Sequence, residues 1–148
     1  MSKLDLNKVG IKELLFIDGI GSDKAEKILE YRQNNGGYIK DMDVLLDVKG
    51  IGEKYLNTIR EYIKIGQIVK ITFNPADYGL EEVHEVHLVG EMNEWNPANK
   101  SYSLEQDDYG KWVGEFPLEK GLEYKFMYDS DDWESKNYLG DHGENVIV

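Results

Sequence analysis

With 148 residues, 41% hydrophobic and 31% charged, the chain has the apolar content for one ordinary domain or two small packed cores. It has no cysteine, which excludes disulfides and thiolate metal sites. The formal net charge of −12 runs against the needs of a protein that binds phosphate over its whole surface.

The opening "MSKLDLNKVG" has no apolar stretch of secretory-signal length, and no run approaches the roughly 20 apolar residues that span a bilayer. The expectation is a cytoplasmic protein with no membrane partner. The charge is unevenly placed. Residues 1–68 hold eleven Lys+Arg and eleven Asp+Glu, so the whole excess of acid lies in 69–148. Trp95, Trp112 and Trp133 also all follow residue 90. This asymmetry predicts two domains, 1–65 and 68–148. About Lys64–Gln67 is left between them, a link short enough to restrict relative motion.

In chain order, a brief helix is expected over Ile11–Ile17, followed by Gly19-Ile20-Gly21. The stretch "KAEKILEYRQ" (Lys24–Gln33) sets Ala25, Ile28, Leu29 and Arg32 on one helical stripe. Ser22 or Asp23 can cap its start, and "NNGG" (Asn34–Gly37) ends it. "DMDVLLDV" (Asp41–Val48) reads as a short helix capped by Asp41. Gly50-Ile51-Gly52 follows. "EKYLNTIREYI" (Glu53–Ile63) then places Leu56, Ile59, Tyr62 and Ile63 together. The pattern helix, Gly-Ile-Gly, helix occurs twice at a spacing of 31 residues. Neither unit can bury its apolar side alone, so the two share one core.

Residues 4–63 resemble the tandem helix-hairpin-helix module of the competence DNA-receptor family. The likeness rests on Leu4-x-Leu6-Asn7, Glu13-Leu14, both Gly-Ile-Gly turns, Tyr31-Arg32 and Asn35-Gly36. Asp18 stands where the family usually has proline, and Asp41 where it usually has serine. The resemblance implies binding of duplex DNA without sequence preference, through Gly19, Ile20, Gly21, Lys24, Gly50, Ile51, Gly52 and Lys54. Glycines admit a phosphate closely, and N–H groups at the next helix start donate to its oxygens. Such contacts position a protein without reading bases. Against this stand Asp18, Asp23 and Glu53, which flank the turns, and the balanced charge of this half. A tight Gly-Ile-Gly connection also suits a helical docking or self-association module.

The second half reads as β. Strands are expected at Ile68–Asn74, Val83–Gly90, Lys111–Leu118, Leu122–Asp129 and Asn145–Val148. Turn signals at Asp107–Gly110, Glu119–Gly121 and Asp129–Asp132 separate them. Short strands at this spacing predict an immunoglobulin-like sandwich. The fold class expected for the chain is therefore an all-α tandem helix-hairpin-helix domain followed by an all-β immunoglobulin-like sandwich.

Residues 69–148 resemble the glycogen-binding carbohydrate module of the AMP-activated kinase beta subunit and of branching and debranching enzymes. The landmarks are Gly90-x-x-Asn93-x-Trp95, Gly110-Lys111-Trp112, Gly121, Tyr124-Lys125-Phe126 and Trp133. The resemblance implies that Trp95 and Trp133 stack on glucose rings and that Lys125 donates to hydroxyls. Asn145 is carried over from the asparagine before the last strand, although one residue is missing there. Sugar C–H faces pack on apolar rings while a few polar groups fix orientation. Trp112 falls on a strand and reads as core. A sandwich of this class also serves as a spacer or docking surface, with Trp95 wedging a turn and Trp133 closing a sheet edge.

Other constellations point to no chemistry. His84 and His87 are three apart on a strand and face opposite ways, which argues against a shared metal. His142 stands alone in a loop. "DSDDWE" (Asp129–Glu134) lacks the mid-loop glycine and distal glutamate of a calcium loop. No serine sits in a nucleophile elbow, and the carboxylates do not flank an apolar pocket. The expectation is a non-enzymatic adaptor without cofactor or metal. Its partners would be duplex DNA and an α-glucan, or another protein if it is a scaffold or the accessory subunit of a separate enzyme.

Overall fold

The computed structural model describes residues 3–140 and 144–148, so His142 lies outside the described residues. The chain forms two compact units, Met1–Gln67 and Ile68–Val148. None of the described helices is long and apolar enough to cross a membrane.

The first unit opens with β1 (Leu4–Asp5), followed by α1 (Ile11–Leu15) and α2 (Ser22–Asn34). A 3-10 helix (Met42–Asp47), α3 (Glu53–Arg60) and β2 (Ile63–Lys64) complete it, with β1 and β2 paired in parallel. The core shows the 31-residue repeat directly. Leu14 and Leu45, Ile17 and Val48, Ile20 and Ile51, Ala25 and Leu56, and Ile28 and Ile59 are all buried. Equivalent positions of the two halves thus fill one interior.

Two local expectations are corrected, and a third is sharpened. The N-cap of α2 is Gly21, with no side-chain cap, so Ser22 and Asp23 lie inside the helix. Asp41 does cap, accepting from Asp43 N at 2.9 Å, but the helix that it starts is 3-10. The last helix ends at Arg60; Tyr62 is 40% exposed and Ile63 enters β2.

The polar landmarks of this half are braces. Asn7 bonds both ways to the Ile39 backbone, donating to its carbonyl at 2.8 Å and accepting from its N–H at 2.6 Å. Arg32 Nη1 donates to the carbonyls of Leu6 (2.9 Å) and Val9 (2.7 Å), tying α2 to the opening turn. Buried carbonyls are costly to leave unpaired, which accounts for an arginine on an otherwise apolar stripe.

The second unit has β3 (Val69–Phe73), β4 (Val86–Gly90), β5 (Glu105–Gln106), β6 (Trp112–Phe116), β7 (Glu123–Tyr128), β8 (Tyr138–Leu139) and β9 (Val146–Ile147). One antiparallel sheet runs β3-β6-β5; the other runs β4-β7-β8, with β9 also on β7. Phe73 of the first sheet meets Phe126 of the second at 4.9 Å between ring centroids. Trp112 is buried, as expected of a core residue. The strands are shorter than expected at their ends, and β5 and β8 carry no clear sequence signal.

Candidate nucleic-acid and carbohydrate sites

Each Gly-Ile-Gly turn is built alike. Gly19 (φ +90) and Gly50 (φ +94) occupy the left-handed region, where a Cβ is penalised. Ile20 and Ile51 are buried, and their N–H groups donate to the Ile17 and Val48 carbonyls at 3.0 Å each. Both isoleucines therefore anchor the turns from within and offer no side chain to a ligand.

Gly21 and Gly52 differ from the glycines before them. They cap α2 and α3 with ordinary extended φ values of −87 and −101. A side chain on either would meet none of the described residues within 4 Å. No contact among the described residues requires glycine there, and each helix start forgoes a capping side chain. The first N–H groups of both helices are left for an outside acceptor.

The turns are coupled. Lys24 Nζ lies 3.9 Å from the centre of the Tyr55 ring, and the Tyr55 hydroxyl donates to the Gly19 carbonyl. Lys24 and Tyr55 are themselves repeat equivalents, so each half reaches across to the other's turn. Lys24 is half-buried in this clasp, while Lys54 is exposed. Burial raises the Tyr55 hydroxyl above its ordinary range, keeping it protonated as a donor. The flanking carboxylates are partly offset, because Asp23 pairs with Lys27 at 2.9 Å. Exposed Lys49, at the position equivalent to Asp18, was not singled out from the sequence and makes the second turn the more basic one.

Residues 1–64 match the family described as a helix-hairpin-helix motif. This half is a helix-hairpin-helix module. Over 62 residues the chain is 36% identical to ComE operon protein 1 of Bacillus subtilis, covering 42% of this chain and 30% of that protein. It is 37% identical over 62 residues to an uncharacterized protein of Haemophilus influenzae, covering 54% of it. A 33-residue segment is 52% identical to the 1,4-alpha-glucan-branching enzyme of Dictyostelium discoideum, only 5% of that enzyme's length. The chain thus spans about half or less of each of these relatives.

Beyond the helix-hairpin-helix module, the four carbohydrate candidates fall on β7 or on the segments beside it. Trp133 Nε1 donates to the Trp95 carbonyl at 3.2 Å. The Trp133 ring stands edge-on to Tyr138 at 5.1 Å, and Lys125 Nζ lies 6.0 Å from the Tyr138 ring centre. Tyr138, on β8, is the aromatic that the sequence did not reveal. Lys125 Nζ also sits 3.3 Å from where a Gly140 side chain would start, and Gly140 packs closely on the Glu144 backbone. Asn145 follows there, half-buried and next to Val146, which pairs with Tyr124. All four candidates, with Tyr138, therefore border the same strand.

The loop carrying Trp95 is held firmly. Gly90 abuts the Glu123 carbonyl, and a side chain on it would start 2.6 Å from Tyr124 Cβ. Buried Asn93 accepts from Gly90 N at 2.9 Å and donates to the Leu88 carbonyl at 3.1 Å. Trp95 N donates to the Gly90 carbonyl at 2.8 Å. Glu94 (φ +56) and Trp95 (φ +58) are both left-handed, a strain of about 1–3 kcal/mol each that concentrates at ligand sites. Asn93→Ala unpairs two buried backbone groups and is expected to destabilise this unit by about 2–4 kcal/mol. Urea unfolding read by tryptophan fluorescence tests this, since every tryptophan lies in this unit.

His87 supports the same loop from beneath. It is buried, with Nε2 at 2.8 Å from the Pro97 carbonyl and Nδ1 without a hydrogen-bond partner among the described residues. Burial lowers its pKa; the bond to Pro97 and the charges of Glu85 and Asp131 oppose this, and Lys100 adds to it. His84 is exposed, 3.6 Å from Asp129, in different surroundings. With the neutral His87 favoured in the fold, the unfolded chain binds more protons below about pH 6.5. Stability should therefore be full above that value and decline as pH falls, by at most about 1.4 kcal/mol per unit. Thermal unfolding at pH 7, 6 and 5 should show the loss in wild type and a smaller one in His87→Gln.

In "DSDDWE", Asp129 accepts the His84 and Glu85 N–H groups at 2.7 and 2.9 Å. Asp132 caps the short 3-10 helix Trp133–Ser135 through Glu134 N at 2.9 Å. These carboxylates shape the loop that presents Trp133.

Proposed function

We propose that the protein is a non-enzymatic, two-domain adaptor. Its helix-hairpin-helix module holds duplex DNA by the phosphate backbone, and its immunoglobulin-like sandwich holds an α-glucan. The observation that carries the DNA reading is the pair of helix starts at Gly21 and Gly52, open to solvent and capped by glycines with no internal reason to be glycine. The glucan reading rests on Trp95, Trp133, Tyr138 and Lys125 around one surface, with a 33-residue likeness to a glucan-branching enzyme in support.

The arrangement suits the two ligands differently. Phosphate contacts release counterions, so DNA affinity should fall steeply with salt and ignore sequence. Stacking of sugar faces on indole and phenol rings should be nearly indifferent to salt. Native electrophoresis of a labelled duplex through gels with and without glycogen tests both at once. At low salt, the protein should retard the duplex further when glycogen is present. Retardation of the duplex alone would leave only the nucleic-acid function, and retardation of the protein alone only the glucan function. Neither effect would overturn the proposal in favour of a protein-binding scaffold.

A further inference from the structure

The two halves of the helix-hairpin-helix module match inside but not outside. Ahead of the second turn stands exposed Lys49, and beyond it exposed Lys54. Ahead of the first turn stands Asp18, and its Lys24 is drawn over Tyr55. The first turn carries something else. Phe16, which closes α1, is 89% exposed, and Leu15 beside it is 46% exposed. The repeat equivalent of Leu15 is Leu46, also exposed, at 39%. The equivalent of Phe16 is Asp47, which accepts a bond from the Tyr31 hydroxyl at 3.3 Å. So one turn is flanked by cations and the other by an uncovered aromatic ring.

Phe16 stands three residues before Gly19, a reach of about 11 Å at most along the chain. That distance is about three base steps of duplex. A duplex seated with a phosphate on the first turn's N–H groups has base steps within that reach of Phe16. Proteins that contact a minor groove often insert apolar side chains between base steps, unstacking them.

Resting on the DNA reading above, we propose that Phe16 is an apolar wedge. The second turn grips phosphate by charge, while the first presses Phe16, with Leu15 beside it, against the base stack of the minor groove. The ligand is thus duplex DNA with an easily opened step, rather than uniform duplex.

The test is anisotropy titration of a short duplex carrying 2-aminopurine at a central TA step, at several salt concentrations. Wild type, Phe16→Ala, Phe16→Trp and the double variant Gly21→Asp/Gly52→Asp are compared. Phe16 is exposed, so its variants should fold. Wild type should raise the 2-aminopurine emission. Phe16→Ala should bind about tenfold more weakly at every salt, with an unchanged salt slope and no rise in emission. Phe16→Trp should restore both. If wild type binds and the glycine variant does not, yet Phe16→Ala matches wild type in affinity and emission, the wedge is overturned while DNA binding stands. If Phe16→Ala instead abolishes a concentration-dependent dimer and leaves DNA affinity intact, the ring serves self-association and the wedge is again overturned. No binding by wild type at low salt would remove the DNA reading itself, and the wedge with it.

Discussion

Gly21→Asp/Gly52→Asp should lose duplex DNA binding by at least 100-fold, ~2.8 kcal/mol, while the helical unit stays as stable or gains slightly. The two effects have opposite signs for one reason. Aspartate is a better N-cap than glycine by a few tenths of a kcal/mol, because its carboxylate accepts the first free N–H groups of the helix. Those are the groups that a phosphate would use. Both positions have extended backbone, and both have room for a side chain. The fold therefore has no reason to object, whereas the ligand meets a negative charge in place of an open donor. Far-UV thermal unfolding and anisotropy titration at low salt measure the two quantities on the same protein. Stability lost in parallel with binding would mean that these glycines serve the fold, and the phosphate reading would fail.

Trp133→Ala should abolish retention by glycogen, lowering affinity at least tenfold, ~1.4 kcal/mol. The substitution removes a ring face, the bond to the Trp95 carbonyl and the edge contact with Tyr138. Trp133 is only half-buried, so the unit should keep its fold. Trp133→Phe should recover part of the binding, since it restores a ring but not the N–H. Affinity electrophoresis in glycogen gels reads this without needing a defined oligosaccharide. Retention of Trp133→Ala equal to wild type would leave Trp133 as a closure of the sheet edge and remove the sandwich from glucan binding.

Much of this architecture was legible because it is written in local periodicity. The stripes on the helices and the doubled Gly-Ile-Gly turns mark burial and backbone conformation within a few residues, and the structure buries those positions pairwise. What was hidden depends on partners distant in the chain. β1 and β2 are two residues each, paired across the whole helical unit, with no pattern long enough to notice. Arg32 reads as a gap in an apolar stripe until its two carbonyl acceptors are seen. Ser22 and Asp23 look like caps by residue type, yet the chain turns one residue earlier, at Gly21, because Ile20 must reach the core. Of the sugar candidates, Trp95, Lys125, Trp133 and Asn145 came from the resemblance. Tyr138 did not, since only the pairing of β8 with β7 carries it there.

On the proposed DNA reading, the clasp between Lys24, Tyr55 and Gly19 would make the paired turns a chelating ligand with a bite set by the fold. Once one turn had captured a phosphate, the other would meet its own at an effective concentration set by geometry rather than by the solution. Such a bite selects spacing. A nucleic acid whose phosphates are set closer or wider than the turns can occupy only one of them and forfeits the advantage of the pair. Two such sites on a chain with no net positive charge would in this way discriminate by shape what neither would hold by charge.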